Sequence, residues 1–210
     1  MLIVDEIACT RGDRRLFESI SFALDQGQLL HLQGQNGSGK TTLLHCVCGL
    51  IAPDSGTVYF EGASTADERD EFYHELLYIG HKNGINDGLT AIECLQFSAQ
   101  LAARPIDASR AIESLRRVGL NGFEDLPTRK LSQGQKRRVA LARLLTSDAC
   151  IWVLDEPFSA LDKVAAAVLV DAIRRHLDQG GIVLMTTHQP VNITECTIEL
   201  HLGRSMKAHV

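Results

Sequence analysis

No apolar run in these 210 residues approaches the ~20 needed to cross a bilayer, so any work at a membrane has to go through a partner. The first residues, Met1-Leu2-Ile3-Val4-Asp5-Glu6, lack the basic start and long apolar core of an export signal. A soluble, cytoplasmic chain is the expectation. Basic charge is not in excess either. Lys and Arg number 21 against 26 Asp and Glu, a net charge of −5, which leaves no electrostatic footprint for nucleic acid. The six cysteines (Cys9, Cys46, Cys48, Cys94, Cys150 and Cys196) show no framework spacing, so free and mostly buried thiols are expected. Cys46 and Cys48 stand two residues apart in a predicted helix, about 200° around its axis, and cannot share one metal ion. The eight histidines form no cluster and no axial-ligand pattern for haem. Repeats, low-complexity tracts and linkers are absent too. What remains is an ordinary globular composition, 45% hydrophobic and 22% charged, at a length that suits one compact domain.

Against that plain background one stretch stands out. Gly34-Gln35-Asn36-Gly37-Ser38-Gly39-Lys40-Thr41 fits the phosphate-loop pattern G-x-x-x-x-G-K-[ST] at every fixed position. An apolar, strand-like run, Leu29-Leu30-His31-Leu32, feeds it. Thr42 opens a predicted helix that runs to Cys48 and stops at Gly49. Glycines let backbone N–H groups curl around an anion, and the helix N-terminus adds partial positive charge. In such a loop Lys40 reaches the β- and γ-phosphates and the Thr41 hydroxyl holds Mg²⁺.

Alternating strand and helix signals follow the loop. Residues 2–8 and 19–24 read as strands joined around Gly12-Asp13, 57–60 as a short strand, 68–74 as a helix and 76–80 as a buried strand. From Thr90 to about residue 147 no strand is predicted. Thr90-Ala91-Ile92-Glu93 is a capping box that opens one helix, residues 107–118 form a second, and Ser132-Gln133-Gly134-Gln135 caps a third. Residues 88–148 thus read as a helical insert in an α/β core. The core resumes with the almost wholly apolar Cys150-Ile151-Trp152-Val153-Leu154, as a buried parallel strand does. A helix over 163–178 and strands over 182–187 and 196–202 complete a mostly parallel sheet with helices on both faces.

Chemistry gathers at the C-terminal ends of these strands. Asp155 and Glu156 end one of them. An acid there can hold Mg²⁺ opposite Thr41, and its neighbour can orient and deprotonate an attacking water. Taken alone, the pair is equally a solvated strand end. The phosphate loop tips the balance toward chemistry. His188 ends another buried strand, where it can contact a γ-phosphate. Leu131-Ser132-Gln133-Gly134-Gln135 is a second helix N-terminus with Gly and Ser, a second anion-binding end. One nucleotide does not need two such ends from opposite sides of one chain. A two-fold dimer resolves this, each Ser132 end closing over the other chain's Gly34 loop.

These motifs, in this order and spacing, resemble the ATP-binding cassette (ABC) ATPases from end to end. Gly34–Thr41 matches Walker A, and Leu131–Gln135 the signature LSGGQ with Gln133 in place of its first glycine. Ile151–Glu156 matches Walker B with its catalytic glutamate, Ser159-Ala160-Leu161-Asp162 the D-loop, and His188 the switch histidine. The resemblance implies a single P-loop NTPase domain over 1–210. It would hold a mostly parallel core, an antiparallel N-terminal β portion and a helical subdomain at about 88–148. It also implies ATP and Mg²⁺ and an ATP-sandwich homodimer. Glu156 would be general base, with Lys40 and His188 on the γ-phosphate. Gly34–Thr42 would cradle the phosphates of one site. Ser132, Gly134 and Gln135 would reach it from the other chain, and Asp162 would link the two sites.

Two positions depart from the family. Arg11 stands where an aromatic residue usually stacks on adenine, and a guanidinium can stack likewise. His81 replaces a glutamine that normally touches the metal or its water, and it brings pH sensitivity. The runs Tyr78–His81, Gly119–Pro127, Leu131–Leu144 and Trp152–Phe158 look like the ATP-binding subunits of cytochrome c maturation systems, the haem exporter ATPases. That resemblance implies a peripheral place on the cytoplasmic face of the inner (plasma) membrane. It implies integral CcmB-like subunits with CcmC- and CcmD-like proteins, and release of a haem-loaded periplasmic chaperone. The partners, not this chain, would contact haem. The same motor serving another ABC exporter is the alternative. A soluble nucleotide-switched scaffold would call for tandem cassettes or a coiled-coil insert, which this chain lacks.

Overall fold

The computed structural model describes residues 1–188, 193 and 197–203. Two sheets form the core. The first is antiparallel, with strands β1 (Leu2–Arg11), β2 (Arg14–Leu24), β4 (Ser55–Phe60) and β5 (Ala63–Ser64) in the order β2-β1-β4-β5. The second is parallel, with β3 (Leu29–Gly34), β6 (Leu76–Ile79), β7 (Ile151–Asp155), β8 (Ile182–Thr186) and β9 (Thr197–Leu202) in the order β6-β7-β8-β3-β9. Six α-helices join them: α1 (Lys40–Val47), α2 (Arg69–His74), α3 (Ala91–Leu101), α4 (Ala108–Arg117), α5 (Gln133–Thr146) and α6 (Lys163–Asp178). The predicted strand at 196–202 is present from Thr197; residue 196 lies outside the described residues.

Strand periodicity explains the layering. In β7, Ile151 and Val153 face one side of the parallel sheet while Trp152 and Leu154 face the other, and all four are buried. The Val153 side packs on α1 and on the apolar face of the antiparallel sheet, including Leu2, Val4, Ile7, Phe17 and Ile20. The Trp152 side packs on α6 and part of α5 through Leu141, Leu144, Leu169 and Ile173. So helices do not cover both faces alone, as expected from sequence. A sheet shares one of them, because β1 and β2 carry an apolar face of their own that must be buried.

The β1–β2 hairpin is also longer than its sequence suggests. Thr10 pairs with Arg15 and Arg11 with Arg14 across a turn at Gly12-Asp13. The predicted strands stop at residue 8 and resume at 19, yet Arg14 and Arg15 are exposed strand residues, where charge costs nothing.

Helices α3, α4 and α5 lie between β6 and β7 and hold a third apolar cluster, with Ala91, Leu95, Ala111, Leu115, Leu120 and Val139 at its centre. Both predicted capping boxes form. Thr90 and Glu93 close α3, and Ser132 and Gln135 close α5. Among the described residues no helix is long and apolar enough to cross a membrane.

Candidate functional site

The turn between β3 and α1 makes one wall of a cleft of about 670 Å³. Gly39 precedes α1 with φ 100° and no side chain caps the helix, so its N-terminus opens toward the cleft. Lys40 folds back over the loop. Its Nζ donates to the carbonyls of Gly34 at 2.8 Å and Gln35 at 3.3 Å. Ser38 Oγ is buried beside the loop with no hydrogen-bond partner. An orphan hydroxyl and an ammonium resting on its own loop's carbonyls fit a polyphosphate, which would satisfy both.

The opposite wall comes from the ends of β7 and β8. Thr41 Oγ1 donates to Asp155 Oδ2 at 2.8 Å, so the two oxygen groups expected to hold Mg²⁺ are adjacent. Asp155 is 3% exposed, and its Oδ1 accepts from Thr186 Oγ1 at 2.7 Å. That threonine oxygen also accepts from the N–H of Glu156 at 2.9 Å. Glu156 has φ 50°, a left-handed conformation that costs a non-glycine residue about 1–2 kcal/mol. Its Oε1 is shielded from solvent and accepts no hydrogen bond, while His188 Nε2 lies 3.4 Å away. An acceptor left open beside an imidazole suits an attacking water.

Arg11 and His81 also line this cleft, so both departures from the family pattern sit at its rim. Among the described residues no group of three or more His, Cys, Asp and Glu side chains is placed to hold a metal, so His81 does not complete a cage with Asp155.

Ser132, Gly134 and Gln135 do not line the cleft. They cap α5 on themselves. Ser132 N donates to Gln135 Oε1 at 2.8 Å, and Gln135 N donates to Ser132 Oγ at 3.2 Å. Asp162 is outside the cleft as well. It accepts from Ala165 N at 2.9 Å at the start of α6 and pairs with Arg138 at 2.6 Å. The backbone N–H of Ala165 and then the Arg138 guanidinium hold its carboxyl below the usual range.

The cysteines carry no chemistry of this site. The five described ones are free, and burial, with Cys9 alongside, pushes the Cys46 thiol up to about 12. Cys196 lies outside the described residues.

Three contributors escaped the sequence reading. Arg14 shares the cleft, and a Cβ at Gly37 would lie 3.9 Å from its Nη1, so its guanidinium stands over the phosphate loop. Thr186 lies opposite Asp155 in the β7–β8 register. Arg137 sits on the buried stripe of α5 with Leu141 and Leu144, four and seven residues on. A charge inside an apolar helical stripe is a signal that could have found it.

The ABC transporter family profile matches residues 17–159, which hold the loop, the capped α5 end and the paired carboxylates. The chain belongs to the ABC transporter family. It is 48% identical over 204 residues to a cytochrome c biogenesis ATP-binding export protein CcmA of Dechloromonas aromatica, covering 97% of this chain and all of that protein. A protein of the same name from Escherichia coli K12 is 46% identical over 198 residues, 94% of each chain. Among solved structures, a dimeric ATP-binding cassette in a post-hydrolysis state with ADP and phosphate superposes with a TM-score of 0.83 at 22% identity, covering 97% of each chain. As an ABC cassette the chain binds ATP.

A second concavity of the cassette lies away from the carboxylates. It measures about 320 Å³ and runs between the core and the insert, past Tyr73, Leu76, Leu101 and Arg143. Leu50, Tyr73 and Leu101 line it and are exposed, and the exposed Phe97 belongs to the same helix as Leu101.

Proposed function

We propose that this cassette is the ATP-hydrolysing subunit of a membrane export complex for cytochrome c biogenesis, of the CcmA type, driving release of a haem-loaded periplasmic chaperone. The observation that carries the reading is end-to-end identity near one half with proteins of that name, joined to a complete set of nucleotide motifs.

The chemistry follows from the residues in the cleft. Gly34–Thr42 wrap the phosphates with backbone N–H groups, and Lys40 moves from the loop carbonyls onto the β- and γ-phosphates. Arg11 stacks on adenine, and Arg14 adds positive charge over the loop. Mg²⁺, held by Thr41 and Asp155 with His81 nearby, would neutralise phosphate charge that builds as the bond to the γ-phosphate breaks. Glu156 takes the proton of the attacking water, and His188 steadies the γ-phosphate. The Glu156 backbone is pinned before substrate arrives, so little reorganisation is left for the reaction.

The signature end supports a two-chain site. Ser132, Gly134 and Gln135 are outside the cleft of their own chain, and a solved cassette of this fold is dimeric. In a homodimer they close over the partner's phosphate loop, and Asp162 ties that loop's neighbourhood to α5 through Arg138. Integral membrane subunits of the CcmB kind, with CcmC- and CcmD-like proteins, dock on the groove rimmed by Leu50, Tyr73 and Leu101. Exposed apolar side chains around one groove mark a surface that a partner covers. The cassette then sits peripherally on the cytoplasmic face of the inner membrane.

One experiment tests the whole reading. Glu156→Gln, captured with ATP from detergent-solubilised membranes, is expected to bring down CcmB-like subunits and a haem absorption band. Unrelated transporter subunits and no haem would overturn the cytochrome c assignment and leave an ABC exporter of another cargo.

A further inference from the structure

One buried cation joins the insert to the catalytic strand ends. Arg137, in the second turn of α5, is 3% exposed. Its Nη1 donates to the carbonyl of Gly80 at 2.8 Å and to Asn83 Oδ1 at 3.3 Å. Its Nη2 donates to the carbonyls of Glu156 at 2.8 Å and Asp155 at 3.3 Å. No carboxylate lies within ion-pair distance of it among the described residues, whereas its neighbour Arg138 has Asp162. Burying a guanidinium without an ion pair is costly. Burial indeed pulls its pKa down, against the nearby charges of Asp155 and Glu156. A leucine, like those four and seven residues on, would fill such a stripe without that cost. The charge therefore earns its place by what it holds.

What it holds is the strained residue of the site. The N–H of Glu156 is fixed by Thr186 Oγ1 and its carbonyl by Arg137, so the peptides on both sides of the left-handed φ are clamped. The other half of the same guanidinium holds Gly80 and Asn83, which flank His81 at the cleft. One planar group thus sets the distance between the insert, the His81 turn and the carboxylate at 156. A guanidinium can do this because its donors form a rigid fork, and a lysine cannot.

We propose that Arg137 is a positioning residue: it clamps the Glu156 backbone to the Gly80–Asn83 turn and to α5, so that the attack geometry at Glu156 depends on where the insert stands. The inference rests on the hydrolytic reading of Glu156. It adds that movement of the insert, or of whatever docks beside it, reaches the water-activating carboxylate through these four hydrogen bonds.

Arg137→Gln and Arg137→Lys, in the full chain within its membrane complex, test it. The expected result is a kcat lower by on the order of 10²-fold in Arg137→Gln, from a misplaced base, with the KM and the affinity for ATP within about two-fold of wild type. Arg137→Lys is expected to lie between, because one ammonium cannot serve both sides. Adding guanidinium ion at non-denaturing concentration to Arg137→Ala should restore part of kcat and leave KM alone. Combining Arg137→Gln with Glu156→Gln should lower turnover no further than Glu156→Gln does. An unchanged kcat in Arg137→Gln overturns the proposal. So does a loss shared equally between kcat and nucleotide affinity, which is what mere loosening of the fold would give. If Arg137→Ala and Arg137→Gln fail to fold, Arg137→Lys decides by the same kcat-against-KM split. Full activity in Glu156→Gln alone would instead sink the hydrolytic reading, a separate failure.

Discussion

Two helix N-termini in this molecule look alike in sequence and differ in structure. Both carry Ser and Gly at their start, Ser38-Gly39 just before α1 and Ser132 and Gly134 on either side of the first residue of α5, and both suit an anion. The α1 end has Gly39 as its cap, no side chain bound to it, and an orphan Ser38 hydroxyl beside it. The α5 end is closed by its own capping box, Ser132 and Gln135 each satisfying the other's backbone. The first end leaves its first-turn N–H groups without any side-chain cap. At the second, Ser132 Oγ already accepts from Gln135 N–H, so a nucleotide from a second chain that uses this hydroxyl would compete with a bond worth about 1 kcal/mol. If the α5 end closes over a second chain's nucleotide, that asymmetry would make nucleotide binding a property of one chain and turnover a property of two.

The largest effect that can break this comparison is expected from Glu156→Gln. Turnover should fall about 10²- to 10⁴-fold, the range for a lost proton acceptor, while ATP affinity is kept. Single-turnover hydrolysis beside equilibrium binding checks both halves, and a variant that turns over normally removes Glu156 as the base. Next comes Lys40→Ala at the open end. Loss of a charge-assisted contact of about 1.5–3 kcal/mol should weaken ATP binding roughly 10- to 100-fold, even in the isolated chain. Unchanged affinity by calorimetry would mean that the ammonium stays on Gly34 and Gln35.

Much of this site was legible in the sequence because its signals are local. The eight-residue loop, the two capping boxes and the acids ending an apolar strand each depend on neighbours a few positions away. The roles of Thr186 and Arg137 were not legible, since their partners come from strands and turns that only the folded sheet brings together; for Arg137 the sequence shows only a charge in an apolar helical stripe. The outer half of the β1–β2 hairpin was hidden for another reason. Its exposed arginines carry no alternation, and pairing across the turn decides their conformation. The shared sheet on one face of the core follows from packing between two sheets, which no single strand encodes.

A third expectation contrasts single methyl groups at the open end. Gly39→Ala puts a Cβ at φ 100°, 3.1 Å from Phe17 Cδ1 and 3.2 Å from Leu16 Cβ. The backbone cost alone is about 1–2 kcal/mol. At roughly 2–4 °C per kcal/mol for a chain of this size, Tm should drop by several degrees, with nucleotide affinity lost alongside. A Tm within a degree of wild type would show that the turn relaxes at little cost.

The smallest effects belong to the closed end, and there stability and turnover should part company. Ser132→Ala removes half of the capping box, a loss of about 1 kcal/mol and about 2–4 °C in Tm. Gly134→Ala should not lower Tm at all. Its backbone is helical, its Cβ would lie 3.4 Å from the Ala160 carbonyl, an ordinary contact, and alanine is the better helix former by up to about 1 kcal/mol. Neither change touches the cleft of its own chain, so ATP affinity of the isolated chain should stay at the wild-type value for both. If the α5 end closes over the partner's nucleotide, both variants lose turnover, and Gly134→Ala does so while being at least as stable as wild type. Mixing Gly134→Ala with Lys40→Ala chains sharpens the point. The mixed dimer has one wholly intact site, the phosphate loop of the Gly134→Ala chain facing the α5 end of the Lys40→Ala chain, and one site with both parts defective. Mixing should therefore restore turnover at one site that neither homodimer has, and no gain on mixing would count against the two-chain site. Wild-type turnover in the Gly134→Ala homodimer would place the α5 end outside the reaction and leave the open end as the whole nucleotide site.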